Sequence, residues 1–349
     1  MNVGSRGHLI RAAALLIIGA IIVFLLVGWL GGEGVFEKIR TLKPYYFLLA
    51  IAIQGIYVLV WTLRWSLIIR AQGNAVPVDI LPVTFSGIFF NNITPISKTG
   101  GEPVRGYLIG KSTDTTFEEG MASVVVDRIF DMAPFVLICL LTFALVSFLG
   151  LTQNILLIIL MLLGLLTAAI LSVVFISASL REESGYRIVL FFLDKLEPLI
   201  RRFRPVDDLR EKAVDALERF YMGIKAISNN RRLLLVCLLL SFLLWLLVVL
   251  RLKVVFLSLG ADQSLLIINV VAVASVFAGF APFLPGGLGI TEFGMIGLFI
   301  GLGVQEDVSG SVVFVDRFIS YWLMTFTGAI FSIYLSRKLN LFGWSPRRN

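Results

Sequence analysis

Histidine is nearly absent from this chain: His8 is the only one in 349 residues. Most histidine-based metal sites and histidine-dependent acid–base catalysis go with it. Cysteine is almost as scarce. Cys139 and Cys237 each sit inside an apolar run, without the spacing partner that a metal knuckle or a redox pair needs. Charge is low as well, with 15% of residues Asp, Glu, Lys or Arg, where soluble domains carry about 25%. Neither a metal nor a cofactor is expected.

What fills the chain is apolar. Hydrophobic residues make up 58% of it, and several uncharged runs reach the ~20 residues that a helix needs to cross a bilayer core. Ile155 to Ala178 is the cleanest. The net charge of +7 comes from lysines and arginines clustered beside these runs, where they set topology and meet anionic headgroups. No nucleic-acid partner is read from it. The pattern predicts an all-α polytopic membrane protein, a single integral domain over residues 1–349 with about 6–8 transmembrane helices.

Arg6 and Arg11 precede Ala12 to Leu30, a run too long for a signal-peptide core and lacking a small-x-small cleavage site. It reads as a first span with its basic end in the cytosol. Pro44 to Ile69 reads as a second, with Trp61, Arg64 and Trp65 on one face near its end. An interfacial anchor with a snorkelling arginine is the favoured reading of those three. Thr115 and Glu118 offer a capping box for a helix running to Leu149. Residues 181–232 form the one sizeable polar region, in which Leu209, Ala213, Leu217, Phe220, Ile224 and Ile227 recur at steps of three and four. An amphipathic helical hairpin on the cytosolic surface is expected there. Leu233 to Leu250 and Gly310 to Ser336 read as further spans.

Two helix-breaking stretches interrupt this pattern, and they belong to a repeat. A first unit, about 78–149, reads TPISKTGGEPVRGYLIG, a polar turn, then ASVVVDRIFD. A second, about 264–336, reads APFLPGGLGITEFGMIGLFIG, a polar turn, then SVVFVDRFIS. Asp127-Arg128 aligns with Asp316-Arg317 at an offset of 189. If each unit held a full span plus an outside loop, the basic 181–232 region would lie outside, against the positive-inside rule. If each Pro-Gly element instead dips in and returns to the side it entered, that region and both termini are cytosolic. The two re-entrant elements then enter from opposite faces, as an inverted repeat. Arg251 and Lys253 oppose this count unless they turn into the bundle.

Charges inside a membrane cost at least ~2.5 kcal/mol near the centre, so they pair or line a pathway. Both roles stay open for Asp127, Arg128, Asp316 and Arg317. Adjacent residues on a helix do not face each other, so an exchange is expected, Asp127 with Arg317 and Asp316 with Arg128. Lys98, Glu102, Arg105 and Glu292 lie on the broken elements themselves. Lys98 and Arg105 offer cationic donors suited to a phosphate, and the Gly-Gly backbone with the following helix start adds N–H groups. Glu102 and Glu292 either hold those cations in place or titrate as coupling groups.

The motif N-x-x-P-x-x-x-x-G-G-E-P-x-R (Asn92 to Arg105), the Val-Val-x-Asp-Arg element, and P-G-G-L-G-x-x-E (Pro285 to Glu292) carry a resemblance. Over nearly the whole chain they resemble the flippase-like transmembrane region of lysylphosphatidylglycerol synthases. The resemblance implies a polytopic domain with two re-entrant elements that moves a modified phospholipid between leaflets. By position it implicates Pro95, Gly100, Gly101, Glu102, Arg105, Asp127 and Arg128 in the first unit. In the second it implicates Pro285, Gly286, Gly287, Glu292, Asp316 and Arg317. No aminoacyltransferase or glycosyltransferase segment is read in the sequence, so lysyl or sugar transfer by this chain alone is not expected. The expected function is that of a lipid flippase of the cell membrane, moving a phospholipid or a lipid-linked intermediate with an anionic phosphate headgroup through a polar cavity between the inverted units. The alternative is a membrane enzyme, or an accessory subunit working with a separate lipid-modifying enzyme.

Overall fold

The computed structural model describes residues 34–35, 37–94, 100–113, 115–150, 155–200, 206–228, 230–279 and 285–341. Every regular element among them is helical. The expected span at 12–30, together with Pro95, Lys98 and Pro282, lies outside the described residues.

The order begins with α1 (Pro44–Ala71), which has proline in its first turn, where a missing N–H costs nothing. Then come α2 (Ile80–Ile93), α3 (Gly101–Ser112) and α4 (Phe117–Phe148). α5 (Ile155–Leu180) is followed by α6 (Glu182–Ile200) and α7 (Val206–Ser228). α8 (Arg231–Ser258) and α9 (Leu265–Gly279) precede a 3-10 turn at Pro285–Gly287 and α10 (Ile290–Gly301). α11 (Glu306–Arg317) passes through a π-helical turn, Phe318–Leu323, into α12 (Met324–Lys338).

α1, α4, α8 and the continuous 306–338 run are each long and apolar enough to cross a membrane. α5 and α6 meet at a bend of 96° and make a fifth span if counted together. α2, α9 and α10 are apolar but short. The chain is thus an all-α polytopic membrane protein. Its helix lengths also recur in order. α1 to α4 hold 28, 14, 12 and 32 residues; α8, α9, α10 and 306–338 hold 28, 15, 12 and 33.

Contacts between helix ends place the elements. Just past α1, the Gln72 amide donates to the Glu119 carbonyl at the start of α4 (3.3 Å). Lys338, at the end of α12, pairs with Asp79, the residue before α2. The end of α1, start of α2, end of α3, start of α4 and end of α12 therefore share one end of the bundle. At the opposite end the Lys43 N–H donates to the Ser258 carbonyl (2.7 Å), and Lys38 faces Asp307 at 3.6 Å. There the start of α1, the end of α8 and the start of α11 meet.

The capping box of α4 lies one residue later than expected. Thr116, not Thr115, is the N-cap: its hydroxyl accepts from the Glu119 N–H (3.3 Å), and the Glu119 carboxylate accepts from the Thr116 N–H (3.1 Å). The Thr115 hydroxyl is engaged with that of Thr113 at 2.7 Å. Within the polar 181–232 region the described residues form two helices, α6 and α7. Tyr221 and Ile224 of α7 are buried against Ile68, Ala122, Val126 and Cys237, so the hairpin caps the end of the bundle where α1 stops.

α2 and α3 touch backbone to backbone. A Cβ on Gly101 would run into the Gly87 carbonyl, and one on Gly87 would lie 2.6 Å from Cγ of Arg105. Replacing Gly101 with alanine is expected to destabilise the protein by ~1–3 kcal/mol through overpacking. Gly297→Ala, where nothing lies within 4 Å, should leave stability unchanged or slightly raised. Thermal unfolding of the two variants in detergent checks this.

Candidate functional site

Trp61, Arg64 and Trp65 fall at i, i+3 and i+4 and so share one face of α1. That face does not meet the interface; it meets α4. Arg64 is fully buried. Its Nε and Nη2 lie 3.0 and 2.8 Å from Oδ1 of Asp127, which is also fully buried. The second oxygen of Asp127 accepts from Trp61 Nε1 and from Arg105 Nη2, both at 2.8 Å. Arg64 reaches further, to Asp131 (2.6 Å) and to the Ser241 hydroxyl on α8 (2.7 Å).

α3 brings in two more charges. Arg105 is enclosed, its guanidinium 3.9 Å from the Trp65 ring centroid and 5.0 Å from that of Trp61, within cation–π range. The Trp65 indole is held by a bond to Ser123 at 3.0 Å. Glu102 accepts from Arg128 Nη2 at 2.6 Å, and Arg128 Nη1 donates to Asp131 at 3.0 Å. The first cluster thus balances Arg64, Arg105 and Arg128 against Glu102, Asp127 and Asp131.

A second cluster stands at the matching place. Asp316 pairs with Arg251 of α8 at 2.8 Å, and Arg251 also donates to the Gln54 side chain of α1. Arg317 donates to Glu292 Oε1 at 2.5 Å, while Oε2 of Glu292 accepts from the Gly289 N–H at 2.6 Å and closes the start of α10. Gly286 and Gly287 take φ of 59° and 71°, a left-handed conformation that glycine adopts without strain. The Gly286 backbone lies against the Tyr321 ring. Tyr321 sits in the π-helical turn, where an extra residue shifts the side chains. Its ring lies 4.6 Å from the Arg317 guanidinium, and its hydroxyl donates to the Asn92 carbonyl at 2.9 Å. Asn92 in turn donates to Thr325 at 2.8 Å. The end of α2 and the Pro285–Gly287 turn therefore meet at Tyr321.

The two long arginines mirror each other. Arg64 of α1 bonds Ser241 of α8, and Arg251 of α8 bonds Gln54 of α1. As the number rises along α1 it falls along α8, so the helices run antiparallel. Each guanidinium joins its own aspartate to the helix of the other half. Asp127 follows the first residue of α4 by 10 positions, and Asp316 follows the first residue of α11 by 10. At 1.5 Å per residue each lies ~15 Å from a different end of the bundle.

Two expectations change. The exchange of Asp127 with Arg317 and Asp316 with Arg128 does not form, because each aspartate finds its arginine on the long helix packed beside it. Arg128 and Arg317 instead turn to Glu102 and Glu292 on the broken elements. The Trp61–Arg64–Trp65 face is internal, not an interfacial anchor, because a buried carboxylate lies within its reach. Arg251 likewise turns inward, leaving Lys253 with the exposed Asp262. Asp131, Trp61, Arg64, Gln54, Ser241 and Arg251 were missed as site residues. One signal was available: Arg64 and Arg251 precede their aspartates by 63 and 65 positions.

Gly100 and Gly101 start α3, with the Gly101 N–H taken by Asn91 Oδ1 at 2.7 Å. Lys98 lies outside the described residues. Among the described residues some donors and acceptors have no partner: Nε and Nη1 of Arg105, Nε of Arg128, Oε2 of Glu102 and Nη2 of Arg317. Beside the first cluster an apolar groove of about 410 Å³ runs between Ile129, Phe130 and Ala133 of α4 and Leu234 and Leu238 of α8, with Arg231 on its rim.

A polytopic helical membrane protein with paired charge clusters on two interrupted elements is the class that this geometry defines. Residues 12–328 match the family described as lysylphosphatidylglycerol synthase TM region, and the chain belongs to that family. Among curated proteins it is similar to a UPF0104 membrane protein of Methanothermobacter thermautotrophicus, 29% identical over 91% of this chain and 94% of the relative. One from Pyrococcus horikoshii is 32% identical over 93% and 97%, and one from Methanocaldococcus jannaschii 26% identical over 95% and 96%. No solved structure matches the chain.

Removing one partner of a buried ion pair strands the other charge, at a cost of about 3–5 kcal/mol. Arg64→Met is expected to unfold the protein or lower its melting temperature sharply in detergent. The double change Arg64→Met with Asp127→Leu should recover only a small part of the loss, because it takes from the enclosed Arg105 its carboxylate partner; a double-mutant cycle on thermal melts would show this.

Proposed function

We propose that this protein moves a phospholipid headgroup between leaflets along the two charge clusters, while the acyl chains stay in the lipid. The observation that carries this reading is the depth and pairing of the clusters. Each lies ~15 Å from a different end of a bundle built for a core of ~30 Å, which puts both close to the midplane, where transporter sites form between repeats. Irregular backbone survives at that depth only where protein or a water-filled cavity covers it. Here the Pro285–Gly287 turn and the end of α2 cover one another through Tyr321 and Asn92.

On this reading α2–α3 and α9–α10 are re-entrant elements, and residues 44–148 and 231–338 are inverted halves. The antiparallel run of α1 and α8 supports the inversion. Arg70, Lys111, Arg181, Arg231, Arg232 and Lys338 gather at one end of the bundle, which the positive-inside rule makes cytosolic. Arg105 and Arg128 take the headgroup phosphate, since guanidinium matches its oxygens in pairs. The groove beside α4 and α8 gives one acyl chain a path next to the cluster. The family name, that of a lipid synthase's membrane region, agrees with a lipid substrate.

Two measurements test the reading. In proteoliposomes carrying acyl-labelled fluorescent phospholipids, wild-type protein should expose inner-leaflet label to dithionite. Arg128→Gln, altered at a partly exposed side chain, should slow that exchange about tenfold, the effect of losing one charge-assisted bond; an unchanged rate would remove Arg128 from the path. In intact cells, Val78→Cys should react with an impermeant maleimide only after permeabilisation and Ser264→Cys without it. Labelling of both from one side would end the inverted arrangement.

A further inference from the structure

We infer that the groove between α4 and α8 is a docking site for an anionic phospholipid of the cytosolic leaflet, with one acyl chain along the groove and the phosphate on Arg231. That the docked lipid is one about to be moved rests on the lipid-translocation reading above; occupancy of the groove does not.

The walls set the class of ligand. Ile129, Phe130 and Ala133 of α4 stand opposite Leu234 and Leu238 of α8, and none of these side chains can hydrogen-bond. Only at the rim does the character change, to the exposed guanidinium of Arg231. From Arg231 to Leu238 the α8 wall runs ~10 Å at 1.5 Å per residue, most of the ~15 Å that one leaflet gives to the hydrocarbon core. A slot of that depth with a cation at its water end matches one acyl chain beneath its phosphate. A peptide laid there would bury backbone N–H and C=O groups without partners.

The charge at the rim is available. Among the described residues Arg231 pairs with no carboxylate. Asp131 lies between Phe130 and Ala133 in sequence but turns to the cluster, where Arg64 and Arg128 hold it at 2.6 and 3.0 Å. Topology would be served by a cation anywhere at this end of the bundle; Arg231, not its neighbour Arg232, is the one on the groove. Its planar fork suits phosphate oxygens. A second groove, on α12 at Ile330 and Ile333, differs in this respect: Lys338 at its rim is paired with Asp79, and Arg337 is engaged as well.

Place agrees with chemistry. One turn beyond Leu238, the Ser241 hydroxyl accepts from Arg64 at 2.7 Å. The groove therefore leads from the end of the bundle read above as cytosolic to the edge of the first cluster. A lipid seated in it keeps its headgroup in water and has one chain already beside that cluster.

The test uses full-length protein in phosphatidylcholine nanodiscs with phosphatidylglycerol carrying a diazirine in one acyl chain. After photolysis, peptides holding 129–133 and 234–238 should carry about tenfold more adduct than the lipid-facing Leu59 and Leu63 of α1, the effect of one charge-assisted bond. Diacylglycerol with the same diazirine, which lacks the phosphate, should label both places alike. Arg231→Gln should reduce the phosphatidylglycerol pattern to that level, and so should Ala133→Phe, which fills the groove. Arg232→Gln, which removes the same charge from the same helix end, should leave the enrichment intact. Even labelling by phosphatidylglycerol in the wild type, or enrichment that survives Arg231→Gln, overturns the inference; ordinary annular lipid gives that result. The loading role is read separately, from dithionite-detected exchange of phosphatidylglycerol in proteoliposomes. Slower exchange in Arg231→Gln supports it. Unchanged exchange alongside lost labelling ends the loading role and leaves a resident lipid, and no exchange in the wild type ends translocation while the labelling still decides the groove.

Discussion

A guanidinium cannot remain bare in hydrocarbon, and much of this fold follows from satisfying two of them. Arg64 and Arg251 each carry a charge into the middle of the bundle, where Coulomb attraction is little screened and an unpaired ion is costly. Each is answered by an aspartate on a neighbouring long helix and by a neutral oxygen on the opposite half. That reciprocal arrangement pins α1 to α8 in antiparallel register. It also fixes the depth of Asp127 and Asp316, and through them the place of Arg105. The broken elements are positioned from this frame outward.

The broken elements use glycine and tyrosine where the frame uses charge. Gly87 and Gly101 let α2 and α3 approach without side chains between them. The Gly286 and Gly287 backbone turns left-handed against Tyr321, whose hydroxyl closes on the Asn92 carbonyl. Buried backbone needs a partner where water does not reach it; here the end of α2 and the Pro285–Gly287 turn each supply part of the cover for the other. The two clusters are alike in plan and unlike in detail: both oxygens of Glu292 are engaged, whereas Oε2 of Glu102 meets no donor among the described residues.

Much of the candidate site could be read from residues alone. Glu102, Arg105, Asp127, Arg128, Glu292, Asp316 and Arg317 are charges on membrane-grade segments, and charge at that depth announces itself. Partner choice could not be read. Arg64 looked like an interfacial anchor because two tryptophans flank it and the end of its helix is near. Its true partner is 63 positions away in sequence, and no local pattern encodes that distance. The capping box slipped by one residue for a similar reason: Thr115 and Thr116 are chemically equivalent, and a side-chain bond to Thr113 chose between them.

By itself the sequence determined the membrane class, the helical architecture and the place of both helix breaks. Composition, run length and the behaviour of proline and glycine are local properties, and local physics reads them directly. Only the tertiary structure decided which arginine neutralises which aspartate, which way Arg64 and Arg251 point, and which carboxylate is left with an idle oxygen. Ion pairs in a low-dielectric interior are settled by contacts of about 3 Å, and such contacts exist only once α1, α4, α8 and α11 have packed.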